Sequence, residues 1–67
     1  MAILKVIEVL GNSNKSWEDA TQNMVDGASK TVKNIKSIYI HEMSATVEDN
    51  KIKEYRVNGK ITFEVKH

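Results

Sequence analysis

Two long segments of β pattern, Ile35 to Glu48 and Lys51 to Val65, flank the dipeptide Asp49-Asn50. Asp and Asn tolerate the positive φ angles of a type I′ turn, so a two-residue loop between such segments reads as a β-hairpin. With Glu48 opposite Lys51, the register places Glu42 opposite Val57, Ile40 opposite Gly59 and Ile38 opposite Ile61. The intervening pairs are Met43 with Arg56, His41 with Asn58, Tyr39 with Lys60, and Ser37 with Thr62. Paired residues share a face and successive pairs alternate faces. The first set makes a mostly apolar face, extended by Phe63 and Val65, which is expected to hold a helix. The second set makes a mixed face of aromatic, imidazole, thioether, guanidinium, amide and ammonium groups, which is expected to carry the function.

The chain has 67 residues, room for one domain spanning 1–67. A chain this short buries only about 60% of its unfolded surface, and small domains are usually reinforced by disulfides, metal or self-association. Cysteine is absent, which removes disulfides, thiolate metal sites and cysteine nucleophiles together. His41 and His67 alone do not make a Cys/His zinc site. Self-association is therefore expected, because two strands of about fourteen residues, each roughly 45 Å long, would otherwise expose their edges. The net charge is +1, with both signs spread along the chain, so no basic field points to nucleic acid. The first eleven residues are apolar but interrupted by Lys5 and Glu8. They fall short of the roughly 20 apolar residues of a membrane span and lack a basic leader. A soluble cytoplasmic protein is expected.

Ile3 to Leu10 reads as a strand, with Leu4, Val6 and Leu10 on one face and Ile7 and Val9 on the other, ended by the turn formers Gly11-Asn12-Ser13-Asn14. Ser16 followed by Asp19 resembles a capping box, and Glu18 and Asp19 suit a helix start. From Trp17, a 100° step gathers Ala20, Thr21, Met24, Val25, Ala28, Thr31, Val32 and Ile35 within an arc of roughly 140°. An amphipathic helix of about seventeen residues is predicted, with Lys30 and Lys33 near its C-terminal end and Asn34 as its cap. Gly27 lies at the margin of the two faces, where either close approach of another backbone or simple tolerance explains it. The order strand, helix, strand, strand makes an all-antiparallel sheet only with the third strand in the middle. The expected fold is α+β: a β-α-β-β protomer, its three-stranded antiparallel sheet in the order 1-3-2 with a right-handed crossover, packed on one helix. One helix cannot cover strands this long, so copies of the same chain are expected to complete the cover.

Catalysis finds no nucleophile elbow, phosphate loop or zinc-protease motif. His41 stands without a carboxylate or second histidine at its local spacing. Glu42 follows it directly, and strand neighbours face opposite ways, so the two are not expected to act together. No enzyme is expected. Glu42 would interrupt the apolar face between Ile40 and Ser44, calling for an ion pair across a subunit interface. Trp17 is expected to anchor a core or interface. The Glu48-Asp49-Asn50 turn lacks the pattern of a twelve-residue calcium loop.

Several blocks are distinctive in combination: KVIE with Gly11 and Ser13 after it, SWEDA at the helix start, ASKTV-x-NI at its exit, EYRV on the hairpin return, and TFEV beyond. From nearly end to end the sequence resembles the dodecins. The resemblance implies a β-α-β-β protomer, twelve copies of which form a hollow homododecamer built from trimers. It also implies sequestration of riboflavin or FMN in stacked pairs at two-fold axes, and in some members coenzyme A or metal ions. Flavin-binding dodecins usually carry a stacking tryptophan where this chain has Ser37, and a flavin-contacting glutamine where it has Arg56. The chain therefore resembles the subset lacking that tryptophan, for which calcium is the alternative cargo; no residue is assigned to a metal. Tyr39 shares the face of Ser37 and is either a replacement stacking ring or a subunit contact. Arg56 either binds a ligand phosphate or carbonyl or pairs with a neighbour's carboxylate. Ser37, Tyr39 and Arg56 are the candidate flavin-binding residues.

Overall fold

The computed structural model describes residues 3–65. Its elements run β1 (Ile3–Ser13), α1 (Trp17–Ala28), β2 (Ile35–Glu48) and β3 (Lys51–Val65). The three strands form one antiparallel sheet in the order β1-β3-β2. Asp49 and Asn50 have φ of 53° and 64°, so the hairpin turns as expected. β1 is longer than its sequence suggests. Gly11, Asn12 and Ser13 continue the ladder opposite Val57, Arg56 and Tyr55, because central strand β3 offers them partners.

The register departs from strict alternation at three places in the hairpin. Ser37, Ile38, Tyr39 and Ile40 pair as expected with Thr62, Ile61, Lys60 and Gly59. The register then slips between Ile40 and Glu42, so that Glu42 opposes Asn58, Met43 opposes Val57 and Ser44 opposes Arg56. A compensating slip between Thr46 and Val47 restores Glu48 opposite Lys51, and a third lies between Ile35 and Ser37. Each β-bulge sets two residues against one and turns the following side chains to the other face. Met43 therefore belongs with buried Val57 on the helix side, and Glu42 belongs on the mixed face, the reverse of the expectation for both. Gly59 makes the bulge at His41 possible. A Cβ there would collide with the Tyr39 carbonyl oxygen, so only glycine lets β2 come this close.

α1 begins as predicted: the Asp19 amide donates to the Ser16 hydroxyl at 3.0 Å. The returning half of the capping box goes elsewhere. Ser13 Oγ donates to Asp19 Oδ2 at 2.6 Å, fastening the end of β1 to the helix start. The helix stops after 12 residues, well short of the expected length. Ser29, Thr31 and Val32 are weak helix formers, and Ser29 Oγ donates to the Asp26 carbonyl at 2.8 Å, a local bond that competes with helix continuation. Lys30 and Lys33 consequently lie beyond the last helical turn, which holds no basic residue. Asn34 does adopt a left-handed conformation, φ 61°, but past the helix end. There it turns the chain into β2, and its carbonyl accepts from the Glu64 amide at 3.0 Å.

The buried core is small: Ala20, Met24 and Ala28 of α1 against Val57 and Ile61 of β3, with Val9 and Ile38 packed alongside. α1 lies over β1 and β3 and leaves most of the helix-side face of β2 open. Met43 and Val47 are 61% and 65% exposed. The accessible surface is 5168 Å², where a folded monomer of this mass would show about 4,300 Å². The radius of gyration is 13.7 Å, against about 11 Å for a compact chain of this length. The protomer is thus an open plate with a partial lid.

Gly27 faces open space, with nothing within 4 Å of a Cβ built there. Tolerance, not close approach within the chain, accounts for it. Gly27→Ala is expected to raise stability by about 0.5–1 kcal/mol through helix propensity. Thermal melting checks this, and a fall would mean that a neighbouring subunit's backbone presses there.

Candidate mixed-face ligand site

The face of the sheet away from α1 carries no helix. β1 contributes Leu4, Val6, Glu8 and Leu10, opposite Glu64, Thr62, Lys60 and Asn58 of β3. β2 contributes Ser37 and Tyr39 before the bulge and Glu42 and Ser44 after it. Leu10 is 67% exposed and Tyr39 63%. An apolar row beside an exposed aromatic and a polar strip is a surface that something else covers.

The three candidate residues share this face but do not meet within one chain. Ser37 opposes Thr62 and Arg56 opposes Ser44. The two positions are six residue steps apart along β3, about 20 Å. Arg56 is also engaged: its Nε lies 3.3 Å from Glu54 Oε1, while the Asn12 amide donates to Glu54 Oε2 at 3.2 Å. Ser37 and Tyr39 are both exposed, and Tyr39 is the aromatic member of the set. Trp17 stays on the helix side. Its ring meets Tyr55 edge-on at 4.9 Å, and its Nε1 donates to the Ser44 carbonyl at 2.9 Å, as an anchor would.

The bulge brings together two residues expected to point apart. His41 Nε2 lies 3.7 Å from Glu42 Oε1, because the extra residue places both side chains on the mixed face. His41 therefore does have a carboxylate beside it, and Glu42 needs no partner inside an apolar layer. The pair is solvent-exposed on both sides, so its attraction is weak. The imidazole ring lies 6.4 Å from the Tyr39 ring, tilted by 41°. Beside it, Glu8, His41, Asn58 and Lys60 line a hollow of about 130 Å³. Such a hollow holds one edge of a small molecule, well short of the roughly 300 Å³ that encloses a whole one.

The hydrophobic pattern carried a signal for this rearrangement. Apolar residues occupy even positions at Ile38 and Ile40 and odd positions at Met43, Ala45 and Val47. That change of phase, opposite a glycine in the neighbouring strand, marks a bulge. Among the described residues, no group of three or more His, Asp or Glu side chains is placed to hold a metal ion. His67 lies outside the described residues. No helix of the described residues is long and apolar enough to cross a membrane.

A family model described as Dodecin matches residues 3–66. The chain belongs to the dodecin family. Calcium dodecin of Mycobacterium tuberculosis is 29% identical over 66 residues, covering 98% of this chain and 93% of that protein. A crystal structure of that calcium dodecin, described as calcium chelating with a novel calcium-binding site, superimposes with a TM-score of 0.83 over 96% of this chain and 91% of its own. A point mutant of Thermus thermophilus dodecin is 25% identical with a TM-score of 0.94 over the whole of both chains. Dodecin from Streptomyces davaonensis matches at a TM-score of 0.95 over 98% of this chain and 97% of its own, with 23% identity. That last likeness supports the fold alone. The β-α-β-β protomer with its 1-3-2 sheet is thus the dodecin fold.

Proposed function

We propose that this dodecin assembles into a hollow homododecamer built from trimers and sequesters a flavin, riboflavin or FMN, on the mixed face, without transforming it. The observation that carries this reading is Tyr39: a ring 63% exposed on an uncovered sheet face that is apolar along β1 and polar along β3. An aromatic ring so presented offers a planar ligand about 0.5–1.5 kcal/mol beyond area burial. Because Ser37 and Arg56 lie far apart on one chain, a site using all three of Ser37, Tyr39 and Arg56 takes them from two copies meeting face to face. Arg56 then exchanges Glu54 for a ligand carbonyl or phosphate.

Riboflavin emission is expected to be quenched on titration with micromolar protein, since a stacked ring is a quenched ring. Tyr39→Ala should weaken binding about three- to tenfold, the loss of roughly 0.7–1.4 kcal/mol of stacking. Undiminished emission from riboflavin and FMN at protein excess would contradict the flavin reading. A second reading is favoured by the calcium dodecin relative: carboxylates brought together at symmetry axes hold a divalent cation. Calorimetry with Ca²⁺, with and without chelator, distinguishes it. Heat with Ca²⁺ and none with riboflavin would move the cargo from flavin to metal while leaving the shell in place.

A further inference from the structure

We infer that Tyr39 and Asn58 of one chain form the recognition pair of the ligand site, Tyr39 stacking on a planar heteroaromatic ring and Asn58 reading that ring's lactam edge. The inference rests on the flavin reading above and names the chemistry that one chain supplies to it. Tyr39 opposes Lys60 across the β2–β3 ladder, and Asn58 stands two residues away on β3, on the same face. Such diagonal neighbours lie about 7–8 Å apart, within the span of a fused ring system. Ser37 and Arg56 have no such relation.

Asn58 also suits the task chemically. It is half-buried and lines the hollow with His41, Lys60 and Glu8. Among the described residues its side-chain amide makes no hydrogen bond, whereas Asn12 and Asn23 are both engaged. A primary amide carries a donor and an acceptor side by side. It therefore matches a lactam N–H next to a carbonyl, the edge that pyrimidine-like rings present. The hollow is too small for a whole ring system but admits that edge while the ring face rests on Tyr39. His41 walls the same hollow from the bulge, with its own ring 6.4 Å from that of Tyr39. Polar walls left without a lactam partner would be poorly satisfied, so the site should discriminate by edge as well as by shape.

The test uses the assembled full chain and two probes, riboflavin and 3-methylriboflavin, in which the lactam N–H is replaced by a methyl group. Wild type is expected to bind the methylated probe at least tenfold more weakly. Asn58→Ala should weaken riboflavin about tenfold and bring the two probes to within about twofold of each other, a loss of discrimination that general destabilisation does not produce. Should Asn58→Ala fail to assemble, His41→Leu, at an exposed position, serves in its place and should reduce the discrimination at least threefold. Wild type that quenches riboflavin and its methylated form equally, or a variant that keeps the full discrimination, overturns the inference and leaves the flavin reading standing. Wild type that quenches neither overturns both.

Discussion

Gly59→Ala is expected to destabilise the protein by about 3 kcal/mol, the upper end of overpacking costs. The added methyl group would strike the Tyr39 carbonyl oxygen, which is backbone and has no rotamer to move away. β2 and β3 must then part at the centre of the sheet, where Gly59 itself is buried. The bulge at His41 loses its footing, and Tyr39, His41 and Glu42 change position with it. Both the melting temperature and riboflavin quenching should therefore fall. Lys53→Ala is the contrast: its exposed contact with Glu48 at 2.7 Å is worth at most about 1 kcal/mol. Melting curves of the two variants decide the matter, and a Gly59→Ala protein as stable as wild type would mean that the strands do not approach so closely.

Gly11→Ala is the second large effect, and it acts on the opposite face. Gly11 is buried under α1, where a Cβ would collide with Met24 Cγ and stand 2.5 Å from the Ala20 carbonyl oxygen. Met24 can swing aside, but the Ala20 carbonyl moves only if the helix does. About 2 kcal/mol of stability should be lost, with helix content by circular dichroism largely kept. Adding Met24→Ala should not rescue the variant, because the backbone clash remains and a buried thioether has been removed as well. Unchanged melting of Gly11→Ala would contradict the seating of α1 on β1.

These two glycines also show what the sequence disclosed and what it withheld. Alternating hydrophobicity around Asp49-Asn50 was enough for the hairpin and its strand limits. Ser16 and Asp19 marked the helix start, and the order of elements then allowed one antiparallel sheet. The helix is shorter than its apolar arc suggests, because Thr31, Val32 and Ile35 continue the arc in angle although Ser29, Thr31 and Val32 resist the conformation. The register departs from strict alternation at His41, because the apolar phase changes across Ile40-His41-Glu42-Met43. One residue of slip exchanges faces for everything that follows. Glu42 and Met43 thus lie on the sides opposite to those alternation predicts, and the slip at Thr46 restores the pairing. The candidate site suffered in turn: Ser37, Tyr39 and Arg56 were correctly placed on one face, but sharing a face says nothing of separation along the strand. The nearness of Tyr39 to His41 and Asn58 follows from the unbulged pairs as well; what the bulge adds, and strict alternation does not show, is Glu42 beside His41 on the mixed face.

α1 is too small a lid for this sheet, and identical chains are expected to supply the rest of the cover. Leu10, Met43 and Val47 are exposed on the single chain, and its accessible surface exceeds that of a compact monomer of this mass. Sedimentation velocity across a dilution series tests this most directly. The expected result is one species of about twelve chains, persisting to low micromolar concentration, with no folded single chain released before unfolding. A stable, cooperatively melting single chain at any concentration would contradict it.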